Sequence, residues 1–101
     1  MESMSEMLKK YIEETIKKIV DKPKEVDINV SVSTKTIIVQ IKVARDECGK
    51  VIGKHGRTVD ALKTICLAIK NTNFSGDSRH VLLEVLEDEN SNFSYRLRGG
   101  D

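Results

Sequence analysis

The chain of 101 residues carries 17 Lys and Arg against 16 Asp and Glu, with 39% apolar and 33% charged content. These values fit one water-soluble domain and leave no room for a second core. No apolar run approaches the roughly 20 residues that span a bilayer, so neither a signal peptide nor a membrane anchor is expected. Cys48 and Cys66 are too few for a disulfide scaffold and do not form a CxxC pair, which points to a reducing cytoplasm, with a Cys48–Cys66 bridge as the minor alternative.

Taken in chain order, Met4, Met7, Leu8, Tyr11, Ile12, Ile16, Ile19 and Val20 recur every three or four residues and predict an amphipathic helix. Ser3 and Glu6 form a candidate capping box at its start, and Pro23 closes it. Val26, Ile28, Val30 and Val32 then alternate with polar residues, and Ile37, Val39, Ile41 and Val43 repeat the pattern after Ser33-Thr34-Lys35-Thr36. Period two with β-branched residues predicts two strands joined by a short turn, each with one buried face. Residues 45–52 read as a short helix. Val59, Leu62, Ile65, Cys66 and Ile69 outline the apolar face of another over 57–71. A loop with the turn signal Gly76-Asp77 follows over 71–79, and His80 to Glu87 reads as the last strand. The order is αββααβ, an α+β fold.

Charge is unevenly spread along this frame. Residues 44–80 hold seven Lys or Arg against four acids, and residues 81–101 hold two Arg against five. The basic excess surrounds GKVIGKHGR at 49–57, where Gly53 and Gly56 flank Lys54 and His55 between two helices. Glycines permit a sharp turn and close ligand approach, and the following helix N-terminus favours an oxyanion. Lys54, Arg57 and His55 add donors suited to phosphate, while Val51 and Ile52 are placed to wall a shallow groove for bases.

Other phosphate-binding motifs do not fit. A P-loop requires four residues between its first glycine and Gly-Lys, then Ser or Thr, whereas three residues separate Gly49 from Gly53-Lys54 and His55 follows. The sequence has no GxGxxG after a strand, no HExxH, no Cys/His ligand cluster and no serine elbow. Neither a catalytic residue, a metal ligand nor a cofactor is expected.

The run Val51-Ile52-Gly53-Lys54-His55-Gly56-Arg57 within an αββααβ order resembles the signature of a KH domain. The longer stretch VARDECGKVIGKHGRTVDALKTI resembles the small bacterial single-KH RNA-binding proteins of the KhpA type, over about residues 5–87. That resemblance implies the type II KH arrangement, a three-stranded mixed sheet with helices on one face. It implies a GxxG loop at Gly53, Lys54, His55 and Gly56, with Gly49, Lys50, Val51, Ile52 and Arg57 on the helical side of an RNA groove. It also implies an RNA-chaperone role, self-association or pairing with a larger KH-containing protein of the Jag type, and links to cell shape, cell wall biogenesis and division.

Simpler roles stand beside these. Gly53 and Gly56 also suit a plain helix–turn–helix bend, and His55 reads as a neutral loop residue, not a titrating switch. Cys66 is expected in the core, Cys48 half-exposed near the groove, and His80 structural. The KH domain is assigned to 1–87. The polar tail 88–101 is expected to be flexible, and its Phe93, Tyr95, Leu97, Arg96 and Arg98 also fit an added strand or an RNA contact. The expected function is single-stranded RNA binding without small-molecule substrate or membrane. The alternative is a protein-interaction or ribosome/transcription assembly module with little RNA affinity.

Overall fold

The computed structural model describes residues 3–86 and the backbone of 94–97. The first helix, α1 (Met4–Ile19), begins at the expected capping box, in which Ser3 Oγ accepts from the Glu6 N–H at 3.2 Å and Glu6 Oε1 accepts from the Ser3 N–H at 3.2 Å. Met4, Leu8, Ile12 and Ile16 form its buried stripe. The helix ends before the proline, and Pro23–Glu25 makes a 3₁₀ turn that leads into the sheet.

Strands β1 (Asp27–Val32) and β2 (Thr36–Lys42) form an antiparallel hairpin pairing Ile28 with Ile41 and Val30 with Val39. Strand β3 (His80–Leu86) lies parallel to β2, placing Ile37, Val39 and Ile41 beside Val81, Leu83 and Val85. Parallel strands cannot be joined by a tight turn. The chain therefore crosses over through a 3₁₀ turn at Arg45–Glu47, helix α2 (Cys48–Ile52) and helix α3 (Arg57–Asn73). The three helices pack on the sheet face that carries these aliphatic residues, and together they form one core. Each fully buried aliphatic side chain in it contributes roughly 1.5–3 kcal/mol relative to exposure. The αββααβ order and three-stranded mixed sheet are those of the expected type II KH arrangement. A fourth strand, β4 (Ser94–Leu97), pairs antiparallel with β3 on its outer side, giving the order β1-β2-β3-β4. The rest of the tail assigned as flexible, 88–93 and 98–101, lies outside the described residues.

Several expectations are corrected by packing. The segment read as one helix over 45–52 is a 3₁₀ turn followed by five α-helical residues. On β1 only Ile28 is buried, and Val32, beside the hairpin turn, is 45% exposed because the strand end reaches past the helical cover. On α3 the buried stripe is Val59, Leu62, Lys63, Cys66 and Lys70, while Ile65 is 43% exposed. Lys70 turns inward at the end of this stripe, and its amine donates to the Asp77 carbonyl at 2.6 Å. Cys48 is buried, with Sγ 3.6 Å from the Leu86 carbonyl oxygen, and both cysteines are free thiols. Burial pushes the Cys66 thiol up to about 12, so it is an inert core group.

Two carboxylates hold the connections. Glu47 is 3% exposed and accepts from the backbone N–H groups of Asp21 and Lys22, the latter at 3.1 Å. It thereby joins the exit of α1 to the entry of α2. In the loop after α3, Asp77 accepts from Arg79 Nε and from the Arg79 backbone N–H, and these bonds hold its carboxyl down at about 2.

Glu47→Ala strips a charged acceptor from two backbone donors and should cost roughly 1–3 kcal/mol in denaturant unfolding. A loss below a few tenths would show that water replaces the carboxylate freely. The Asp77 contribution has a defined pH window. Because its folded pKa lies below the ordinary value of 3.8, its stabilisation is complete above that value and is lost as pH falls towards about 2. Melting temperatures of the natural chain and Asp77→Asn should therefore differ at pH 6 and converge between pH 4 and 2, whereas a constant gap contradicts the assignment.

Candidate nucleic-acid interface

The glycine segment is built from three left-handed residues in four. Gly53 ends α2 at φ 78°, ψ 169°, a region open in practice to glycine alone, and its N–H closes the helix onto the Gly49 carbonyl at 2.8 Å. His55 follows at φ 58°, ψ 26°, and Gly56 at φ 73°, ψ 15°. The Gly56 N–H returns to the Gly53 carbonyl at 3.1 Å, making a compact turn. A Cβ at Gly53 would stand 2.3 Å from Thr58 Oγ1 and 2.8 Å from the Thr58 backbone nitrogen. The glycine is thus required both by conformation and by the close approach of α3.

The turn delivers the chain directly into α3, whose N-cap is Gly56 and whose first turn has no side-chain cap. Its leading N–H groups are donors without a local side-chain acceptor. Lys54, His55 and Arg57 are all exposed around this helix end, and among the described residues none of them has an ion pair or side-chain hydrogen bond. Positive charge, free donors and an open approach therefore coincide.

The other candidates divide by position. Gly49 is exposed, with open space where a Cβ would stand, and Ile52 is half-buried beside the turn. Val51 is fully buried, so it supports α2 from beneath instead of walling a groove. Lys50 is exposed, but its amine lies 2.6 Å from Asp21 and 3.6 Å from Glu47. The hydrogen bond that Lys50 donates to the Asp21 carboxylate holds its ammonium above the ordinary range. Its charge is largely matched within the chain.

A separate cleft of about 570 Å³, lined by Ser33, Phe74, Asp77 and Arg79 among others, lies at the far end of α3. At 1.5 Å per residue, a helix of 17 residues places it about 25 Å from the glycine turn. Asp77 and Arg79 neutralise each other there, with a 2.5 Å contact, which leaves little to attract a charged ligand. Sequence reasoning missed this cleft, the burial of Lys63 and Lys70, and the Glu47 tie. An acid beside the motif at Glu47 was the only local sign of that tie.

Gly53→Ala tests the turn itself. The substitution forces a Cβ into the Thr58 backbone and should cost at least about 1–3 kcal/mol of stability. Amide signals of Gly53–Thr58 should shift most in NMR spectra, and a neutral effect would contradict the left-handed geometry.

Comparison with known proteins places this geometry. The family model described as KhpA/KhpB, KH domain matches residues 9–83. A protein of Chlamydia caviae named RNA-binding protein KhpA is 38% identical over 82 residues, covering 81% of this chain and all of that protein. Proteins of the same name from Aquifex aeolicus and Clostridium perfringens are 39% and 35% identical, covering 79% and 78% of this chain and 96% and 100% of their own. No solved structure matches. The relatives are named for RNA binding and the family is non-enzymatic, in keeping with a sequence that carries no catalytic set. The αββααβ fold, the glycine turn between α2 and α3 and these matches together establish that the chain belongs to the KhpA/KhpB KH-domain family.

Proposed function

We propose that this chain binds single-stranded RNA, holding phosphates at Gly53, Lys54, His55, Gly56 and Arg57 and bases against Gly49 and Ile52, and that it works as an RNA chaperone. The observation that carries the reading is the pair of exposed cations, Lys54 and Arg57, beside an uncapped helix N-terminus on a left-handed glycine turn. Phosphate oxygens match such donors in charge and reach. The RNA-binding names of the relatives support the same ligand. Lys50 and Val51 have supporting parts, since one is matched by Asp21 and the other lies in the core.

A KH groove clamps about four nucleotides, so one copy binds weakly and gains strength by linkage. Pairing with a second copy or with a larger KH-containing protein of the Jag type belongs to this proposal. So do a cytoplasmic location and a part in cell shape and division. No helix among the described residues is long and apolar enough to cross a membrane.

Double substitution Lys54→Asp/His55→Asp keeps both glycines and reverses the loop's charge. Affinity for a short single-stranded RNA should fall at least tenfold, about 1.4 kcal/mol, with an unchanged circular dichroism spectrum. With Lys50 matched internally, about two phosphates are engaged, and log K should fall with log salt at a slope of about −1.4, from ~0.7 per phosphate. A flat salt response, or a folded double variant that binds as tightly as the natural chain, would favour the protein-interaction reading.

A further inference from the structure

We propose that β4 is an intramolecular competitor of RNA, a strand that occupies the edge of β3 beside the glycine turn and must leave before the groove is fully open. The inference rests on the RNA-binding reading above and adds a regulatory segment to it. Both helices that flank the turn, α2 and α3, pack against β3, whereas α1 packs against β1. The sheet edge nearest the turn is therefore the outer edge of β3. A nucleotide strand leaving the turn meets there a row of backbone N–H and C=O groups, the donors and acceptors that base edges can use.

Strand β4 takes up that row. Its register pairs Leu83 with Leu97, Glu84 with Arg96, Val85 with Tyr95 and Leu86 with Ser94. The covered half of the edge is the half beside α2, since the Leu86 carbonyl oxygen lies 3.6 Å from Cys48 Sγ, one residue before Gly49. In the backbone register Arg96 stands opposite Glu84. In the sequence, residues 87–93 carry Glu87, Asp88 and Glu89 without a single Lys or Arg.

The segment is also suited to release. It contributes four residues, and its seven-residue connector has none of the glycine that tight hairpin turns prefer. It lies beyond residue 83, where the match to the family model ends, so the matched domain does not include it.

The test uses the full chain with Arg96→Glu, which sets like charges opposite each other, and separately Tyr95→Pro, which removes a backbone donor from β4. A fluorescent single-stranded oligonucleotide reports affinity, and hydrogen exchange of the 94–97 amides reports docking. Both variants should lose protection at 94–97, keep the melting temperature of the domain, and bind about three- to tenfold more tightly, corresponding to a strand docked about 67–90% of the time in the natural chain. In the natural chain, saturating RNA should likewise release the 94–97 amides. Equal or weaker binding by undocked variants, or RNA binding that leaves β4 protected, overturns the competitor role while RNA binding stands. Absence of binding by the natural chain and both variants overturns the RNA reading itself, and the competitor role with it.

Discussion

The parallel pairing of β2 with β3 is the constraint from which the rest of the molecule follows. Parallel neighbours need a crossover, so everything between Lys42 and His80 must leave the sheet at one end, cover its apolar face and return at the other. That requirement places α2 and α3 on Ile37, Val39, Ile41, Val81, Leu83 and Val85. It also places the sharp turn between the two helices at the margin of the molecule, where it stays open to a ligand. A hairpin between β2 and β3 would have left no such turn.

Positioning the turn then depends on how firmly α2 is held, because a helix of five residues has little stability of its own. Its support comes from Val51 and Cys48 in the core and from the Glu47 carboxylate, which fastens its entry to the exit of α1. Gly53 completes the arrangement by allowing α3 to start within van der Waals range of the turn. The proposed binding surface is thus preorganised by the core and by the connections of α2. Less ordering entropy is lost on binding than in a flexible basic loop of the same composition.

The electrostatics of the surface are narrower than composition suggests. Lys50 is matched by Asp21 and Glu47, Lys63 and Lys70 are buried, and Arg79 is spent on Asp77. Of the basic excess over residues 44–80, the exposed cations beside the turn that no carboxylate matches among the described residues are Lys54 and Arg57. Attraction is consequently local, which suits a short ligand held at one point.

The amino-acid sequence by itself determined the helices, the strands and the glycine turn, because each is written in a local period or a local spacing. Apolar residues every three or four positions mark α1, strict alternation marks β1 and β2, and two glycines around Lys54-His55 mark the turn. Only the tertiary structure decided which side chains remain available. Lys50 and Asp21 are 29 residues apart, Glu47 and Lys22 are 25 apart, and Cys48 lies against a carbonyl 38 residues on. The same holds for Val51 in the core, Ile65 at the surface and the pairing of β4 with β3. Such contacts bring together residues that share no period, and their strength depends on burial and geometry that exist only once the sheet and its crossover have closed.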